Sequence, residues 1–225
     1  MRKWEDLPEF MKCDEVKEYY NILSRKKVSL ILKRGFDLVA GVGILVVTAI
    51  PMLVIGIKIA TESEGGVFYR QERVTTYGKK FKIHKFRTMV ANADQIGSAV
   101  TVSGDNRITP TGAFLRKYRL DELPQVFDIL SGNRSFVGTR PEVVKYVKKY
   151  KPEYFATLLL PAGITSEASI KYKDEAELLD AAEDVDEVYI TKVLPEKMKY
   201  NLSSIRKFSF LGEIATMIKT VFAVL

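Results

Sequence analysis

The residues best suited to chemistry are two adjacent carboxylates, Asp121 and Glu122, in the stretch Leu115 to Gln125, which reads LRKYRLDELPQ. They follow the cations Arg116, Lys117 and Arg119. A carboxylate beside a helix start and several arginines stays ionised, and the same positive field collects phosphate groups. Two neighbouring acids cannot both face one way, so they can divide the labour as one nucleophile and one metal ligand. The bare pair is also what ordinary helix capping looks like. The spacing predicts Asp121 as the N-cap of a short helix. Pro124 then falls in the first turn, where its missing N–H costs nothing, and the apolar run Val126, Phe127, Ile129, Leu130 leads to a stop at Gly132.

Other cations have the right surroundings to join this pair. Arg140 precedes Pro141, which holds its backbone extended and suits it to bidentate phosphate binding, although a surface salt bridge would satisfy the same residue. Lys79, Lys80, Lys82, Lys85 and Arg87 make one short region strongly basic, either a phosphate-facing surface or a solvated ribbon. His84 lies among them alone, with no partner for metal or triad work, and is expected to be structural. One cysteine, Cys13, and one histidine exclude an internal disulfide and a zinc cluster, and fit a reducing compartment.

The net charge of +7 is uneven: Asp174 to Glu187 holds eight acids and no bases, which leaves +15 on the rest of the chain. That balance suits anionic partners: phosphates, a lipid surface or nucleic acid.

The elements that must position these residues are readable in outline. Residues 1–34 are expected to form a helical docking arm, with Leu7, Phe10, Met11, Val16, Tyr19, Tyr20 and Leu23 at helical spacing. Leu38 to Ile57 is 20 residues without a charge, long enough to enter the hydrocarbon core as a helix. Nine Lys/Arg precede this segment and eight lie between Lys58 and Arg87, so the positive-inside rule asks for both ends on the cytoplasmic side. A helix that breaks at Pro51 and returns satisfies that demand; a kinked single span is the alternative.

Short strands are expected at Val67 to Gln71 and Phe81 to Phe86, with a turn at Tyr77-Gly78. Asp105 to Thr109 is expected as a loop entering the helix of Leu115 and Arg116. Ser135 to Pro141 reads as an extended stretch and turn, with a helix from Pro141 to Tyr150. Pro161 to Thr165 reads as a turn, and the acidic segment as a solvated helix face. A helix over 186–201, interrupted or restarted near Pro195, and an amphipathic helix over 208–225 close the chain.

In this order the motifs resemble the bacterial sugar transferase family, the monotopic phosphoglycosyl transferases that start polyprenol-linked glycan assembly. The likeness covers residues 33–225. It rests on Lys33-Arg34 with Asp37, FYRQER (68–73), KFRTM (85–89), Leu115-Arg116, LDELPQ (120–125), VGTRP (137–141) and PAGIT (161–165). Each is weak alone, and the ordered set is specific. The resemblance implies an α+β, mainly helical fold: an N-terminal arm (1–34), a re-entrant membrane helix hairpin (35–60) broken at Pro51, and an interfacial catalytic domain with a small sheet (61–225) on the cytoplasmic face of a bacterial inner membrane.

It further implies a UDP-sugar donor, a polyprenyl (undecaprenyl) phosphate acceptor, Mg²⁺ as cofactor and membrane lipid as surroundings. Asp121 takes the place of the nucleophile, and Glu122 that of the carboxylate associated with the metal. Arg116 and Arg140 fall where phosphates are held, and Lys85 and Arg87 join them as candidate substrate cations. The chain departs from the family pattern at Ile50 before Pro51, Gly66, Thr75, Asn133 and Thr139, none of which removes a presumed catalytic group. The family function places the chain at the first membrane step of surface glycan or exopolysaccharide assembly. A non-enzymatic scaffold of a glycan-assembly complex would need Asp121 to be dispensable. A nucleic-acid binder would explain the charge but not residues 38–57, so no nucleic acid is expected. A homo-oligomer, the donor sugar and the pathway are left open.

Overall fold

The computed structural model describes residues 1–93, 105–172 and 184–224. Among them helices dominate, with two small sheets of two strands each.

The N-terminal arm enters through 3-10 turns at Trp4–Asp6 and Glu9–Met11, then α1 (Asp14–Ser24). Its apolar spacing does what the sequence asks. Leu7, Met11, Val16, Tyr19 and Leu23 are buried in one cluster with Leu159, Leu194, Met198 and Leu202 from the C-terminal half. Phe10 is left largely exposed but sets its ring edge-on to Phe155. The arm and the C-terminal half therefore share one core, as burial of so much apolar surface favours.

Helix α2 runs from Lys27 to Glu62, 36 residues with Pro51 inside it. The helix continues through the proline. Its most apolar eighteen-residue window is only 6% buried, which rules out a core helix and leaves a helix long and apolar enough to cross a membrane.

Strands β1 (Phe68–Val74) and β2 (Lys80–Phe86) pair antiparallel around a tight turn at Thr76–Gly78, as the alternation predicted. Tyr77 takes a left-handed φ of 59° in that turn. Helix α3 (Pro110–Lys117) is capped by Thr109, whose side chain accepts from Gly112 N. A 3-10 segment (Leu120–Gln125) leads to α4 (Val126–Leu130) and β3 (Arg134–Val137).

The helix expected over 141–150 is a single turn, α5 (Val144–Val147). The stretch Pro161–Thr165, expected as a turn, contributes strand β4 (Ala162–Thr165), parallel to β3 in the register Ser135↔Gly163 and Val137↔Thr165. The correction has a steric cause. A Cβ on Gly163 would lie 2.1 Å from Gly138 O, so two glycines let two backbones meet where side chains would part them.

Helix α6 (Glu167–Lys171) follows. Residues 173–183, most of the acidic segment, lie outside the described residues. Asp184 then caps α7 (Val185–Val188), and a π-turn at Tyr189–Val193 joins it to α8 (Leu194–Arg206), so the chain passes Pro195 in its first turn without a break. Helix α9 (Phe210–Val224) ends the described chain, with Leu211, Val221 and Phe222 exposed on one face.

Four side chains fix α2 to the rest. Lys33 is buried and donates to Val137 O (2.7 Å) and to both oxygens of Glu213 on α9 (2.7 and 2.8 Å). Asp37, also buried, accepts from Ser135 Oγ (2.9 Å) and Phe136 N (3.1 Å). Arg34 donates to Ile129 O, which also accepts from Gly132 N, and to Leu130 O, at the end of α4. At the far end Arg87 donates to Ser63 O at 2.8 Å and to Glu64 O. Between these ties, Met52 and Ile59 pack with Phe86, Leu115 and Val126 in a second apolar cluster.

Candidate active site

Asp121 is not the N-cap that the spacing predicts. Arg119 precedes the 3-10 segment in the left-handed region (φ 56°), and Asp121 sits inside that segment's first turn. The tight turn is imposed from both sides. Leu115 on α3 and Val126 on α4 are both buried in the second cluster, so the chain must reverse within the residues between them. This carries Asp121 and Glu122 onto the edge of β2.

There they meet the cations. Lys85 Nζ donates to Glu122 Oε1 at 2.7 Å and lies 3.9 Å from Asp121 Oδ2. Arg140 Nη2 lies 3.7 Å from the same Glu122 oxygen. Arg116 is positioned by a bond from its Nε to Thr88 Oγ1 (2.8 Å). These five residues line one cavity of about 310 Å³, so the tight 3-10 turn brings both acids to the same space, against the expectation that neighbouring acids face apart. Arg87, expected among them, does not. It is buried on the other side of its strand end, and the carbonyls that close α2 occupy its guanidinium.

Arg119 of the cationic turn also lines the cavity, with two cations that the motifs alone do not mark, Arg73 and Arg134. Arg73 donates from Nη1 to Pro141 O (3.1 Å) and from Nη2 to Gln71 Oε1 (2.6 Å), which holds the turn that presents Arg140. That turn is held on its far side by Gly163 N donating to Thr139 O (2.8 Å). Arg134 is fully buried and donates to Gln125 Oε1 and Gly163 O. Strand alternation within FYRQER was the available signal for Arg73. Nothing local marks Arg134, because its role depends on the parallel pairing of β3 with β4.

The two carboxyls are electrically unlike. Burial pushes the Asp121 carboxyl above the usual carboxylate range, with Lys85 opposing and the neighbouring Glu122 adding to it. Burial acts on Glu122 as well, but the Lys85 ammonium and the Arg140 guanidinium outweigh it and bring the group to about 2. Burial lowers Arg134 to about 9. Glu122 is thus the fixed, fully ionised anion, and Asp121 the less compensated one, which is the better nucleophile when ionised.

Among the described residues no cluster of three or more acids, histidines or cysteines gathers in metal-binding fashion. A hard divalent ion that draws most ligands from a substrate's phosphates needs only one or two carboxylates, and Glu122 fits that requirement.

His84, expected to be structural, has a partner after all. Its Nδ1 lies 2.7 Å from Asp128 Oδ1, and its backbone N donates to Asp128 Oδ2 (2.9 Å), which clamps β2 to α4. Beside the cavity an open apolar groove runs between α2 and the hairpin, lined by Leu45, Met52, Phe68, Phe86 and Phe127. Phe86 is common to both.

The family model described as bacterial sugar transferase matches residues 28–225. The chain is 32% identical over 197 residues to the UDP-N-acetylgalactosamine-undecaprenyl-phosphate N-acetylgalactosaminephosphotransferase of Aeromonas hydrophila, covering 86% of this chain and 44% of that protein. It is 32% identical over 200 residues to the UDP-glucose:undecaprenyl-phosphate glucose-1-phosphate transferase of Escherichia coli (strain K12), covering 87% and 40%. It is 34% identical over 155 residues to the undecaprenyl-phosphate galactose phosphotransferase of Salmonella typhimurium, covering 62% and 32%. The chain thus spans less than half the length of these relatives, and their names carry different sugars. With the acid pair and its cations on one cavity, the match over residues 28–225 makes this chain a member of the bacterial sugar transferase family.

Proposed function

We propose that the chain transfers a sugar-1-phosphate from a UDP-sugar to polyprenyl phosphate, through a covalent intermediate on Asp121. One observation carries the reading: Asp121 and Glu122 face Lys85, Arg116 and Arg140 across one cavity, and that cavity adjoins an apolar groove at the membrane helix. Phosphoryl transfer asks for charge neutralisation and in-line placement more than for strong acid–base groups, and this cavity is built of fixed cations.

In the first half-reaction a carboxylate oxygen of Asp121 attacks the phosphorus next to the sugar. The bond from that phosphorus to the bridging oxygen breaks, and UMP leaves with the electron pair. In the second, an oxygen of polyprenyl phosphate attacks the same phosphorus and returns the Asp121 carboxylate, giving a polyprenyl diphosphate sugar. Arg116 and Arg140 hold phosphate oxygens, and Lys85 keeps both acids oriented and ionised. Glu122 would hold Mg²⁺, which would supply further charge neutralisation for the donor's phosphates. The groove ending at Phe86 receives the apolar end of the acceptor nearest its phosphate.

Both flanks of the apolar segment pack on the same body, through Lys33 and Asp37 before it and Ile59 after it. That favours a re-entrant path with both flanks on the cytoplasmic face over a perpendicular span. Tags at Met1 and Leu225 are then both shielded from outside reagents; exposure of Met1 alone would replace the re-entrant path with a span.

The reaction is tested by UMP release from a panel of UDP-sugars with polyprenyl phosphate and Mg²⁺, for the unmodified chain and Asp121→Asn. Acceptor-dependent release that the substitution abolishes is the expected result. Release that survives it moves the nucleophile elsewhere or makes the transfer direct, and absence of release from every nucleotide sugar ends the enzymatic reading.

A further inference from the structure

The N-terminal arm lies outside the core of the transferase motifs, and it builds something of its own where it docks on α2. Arg2 and Lys3 from the arm meet Lys27 and Arg34 from the first two turns of α2 around an open cavity of about 470 Å³. Among the described residues no carboxylate lines it; Glu5 and Asp6 follow on the chain but take no part in the wall. The first turn of α2 also lacks any acid, so the positive end of the helix adds to the field. Arg34 is fixed by the carbonyls of Ile129 and Leu130, and Arg2 lies over the Tyr77 ring at 4.7 Å with its backbone N donating to Tyr77 Oη (2.9 Å). Tyr20 Oη donates to Arg2 O (3.1 Å), so the cationic wall is held in place by the fold.

The remaining wall is apolar. Leu30 and Ile31 of α2 line it, and Ile31 is 71% exposed, as is Val28 on the same two turns. An anion with a greasy neighbour matches a cationic wall beside exposed aliphatic side chains. A free phosphate or a polynucleotide leaves that aliphatic surface in water, whereas a phospholipid covers both. Tyr20 also lines the cavity and packs its ring on Trp4, centroids 5.2 Å apart, a pair of the residue types that settle at headgroup depth.

We propose that this cavity binds the headgroup phosphate of an anionic phospholipid, with the acyl chains along Val28 and Ile31, and so sets the depth at which the arm and the start of α2 lie in the bilayer. The proposal rests on the membrane placement of α2 proposed above.

Trp4 is the only tryptophan of the chain, which makes it a reporter. The full chain is placed in nanodiscs of phosphatidylcholine containing a minor fraction of phosphatidylglycerol, with bromine atoms near the headgroup on one lipid or the other, and Trp4 quenching is measured. Brominated phosphatidylglycerol is expected to quench Trp4 more strongly than brominated phosphatidylcholine at equal fraction. A lysine near an anionic surface is worth about fivefold in lipid preference, so Lys3→Gln with Lys27→Gln reduces the preference by on the order of twentyfold while quenching by phosphatidylcholine persists. Both lysines are exposed, and unchanged circular dichroism verifies the fold of the double variant. Equal quenching by the two lipids overturns the proposal, as does a preference that survives the double substitution. Relief of the preference by inorganic phosphate at constant ionic strength overturns it in favour of a free-anion site. Failure of the chain to enter nanodiscs at all refutes the membrane placement instead.

Discussion

Replacing Lys85 with glutamine tests the electrostatic division between the two acids most directly. The ammonium sits 3.9 Å from Asp121 Oδ2, and the Lys85 side chain is 24% exposed. For a pair so placed an effective dielectric of about 40 lies between the buried and aqueous limits, and the attraction is then about 2 kcal/mol. At 1.36 kcal/mol per pH unit this corresponds to about 1.5 units. The sign follows from the loss of a cation: the Asp121 anion is less favoured, its carboxyl titrates higher, and the nucleophile is protonated over a wider acidic range. Glu122 rises too, but from about 2, so Asp121 defines the acid limb. The assay is kcat/KM for UMP release against pH, which reports the free enzyme. The acid limb moves up by about 1.5 units in Lys85→Gln and stays near its original place in Lys85→Arg. A uniform fall in kcat/KM with an unmoved limb would refute the argument, since Lys85 would then act on the substrate and not on Asp121.

Three further outcomes follow from other parts of the structure. Glu122, held near 2 against an ordinary 4.5, contributes stability that is fully present above about 4.5 and is lost as pH falls through about 2; denaturation midpoints across that window should flatten in Glu122→Gln. Lys33→Met strands the buried Glu213 carboxylate and is expected to cost about 3 kcal/mol, most of it recovered in the double variant Lys33→Met/Glu213→Met; thermal unfolding of the four proteins reads the cycle, and simple additivity would count against a coupled pair. Gly163→Ala puts a methyl group 2.1 Å from Gly138 O, so it should destabilise by about 3 kcal/mol and, by moving Arg140, raise KM for the donor more than it lowers kcat.

What was legible in the sequence depended on whether the signal was local. The hairpin of β1 and β2, the long apolar helix and the buried spacing of the arm are short-range patterns, and each was readable. The acid pair and Arg140 were readable because motif and neighbouring proline mark them. Strand β4 was hidden because Pro161 to Thr165 carries turn residues, and only the approach of Gly138 to Gly163 makes a strand of it. The same pairing conceals Arg134. Arg87 misled for a related reason: Lys85 and Arg87 look alike in a basic run, but the carbonyls at the end of α2 claim one and the acids claim the other. The N-cap expected at Asp121 failed because Arg119 adopts a left-handed conformation that leaves no free first turn to cap.

The ties between α2 and the rest of the chain bear on how such a protein can be handled and how it can diverge. A tether can be exchanged for any other greasy segment without touching the chemistry it delivers. Here the segment supplies Asp37 to β3, Arg34 to the end of α4, and Met52 and Ile59 to the cluster that places Leu115 and Val126 on either side of the acid pair. Cutting it away for a soluble version removes one wall of the groove and the outer support of the turn that carries Asp121. Solubility and a formed site are therefore competing demands on one helix, and a graft that preserves hydrophobicity alone leaves Asp121 without a frame.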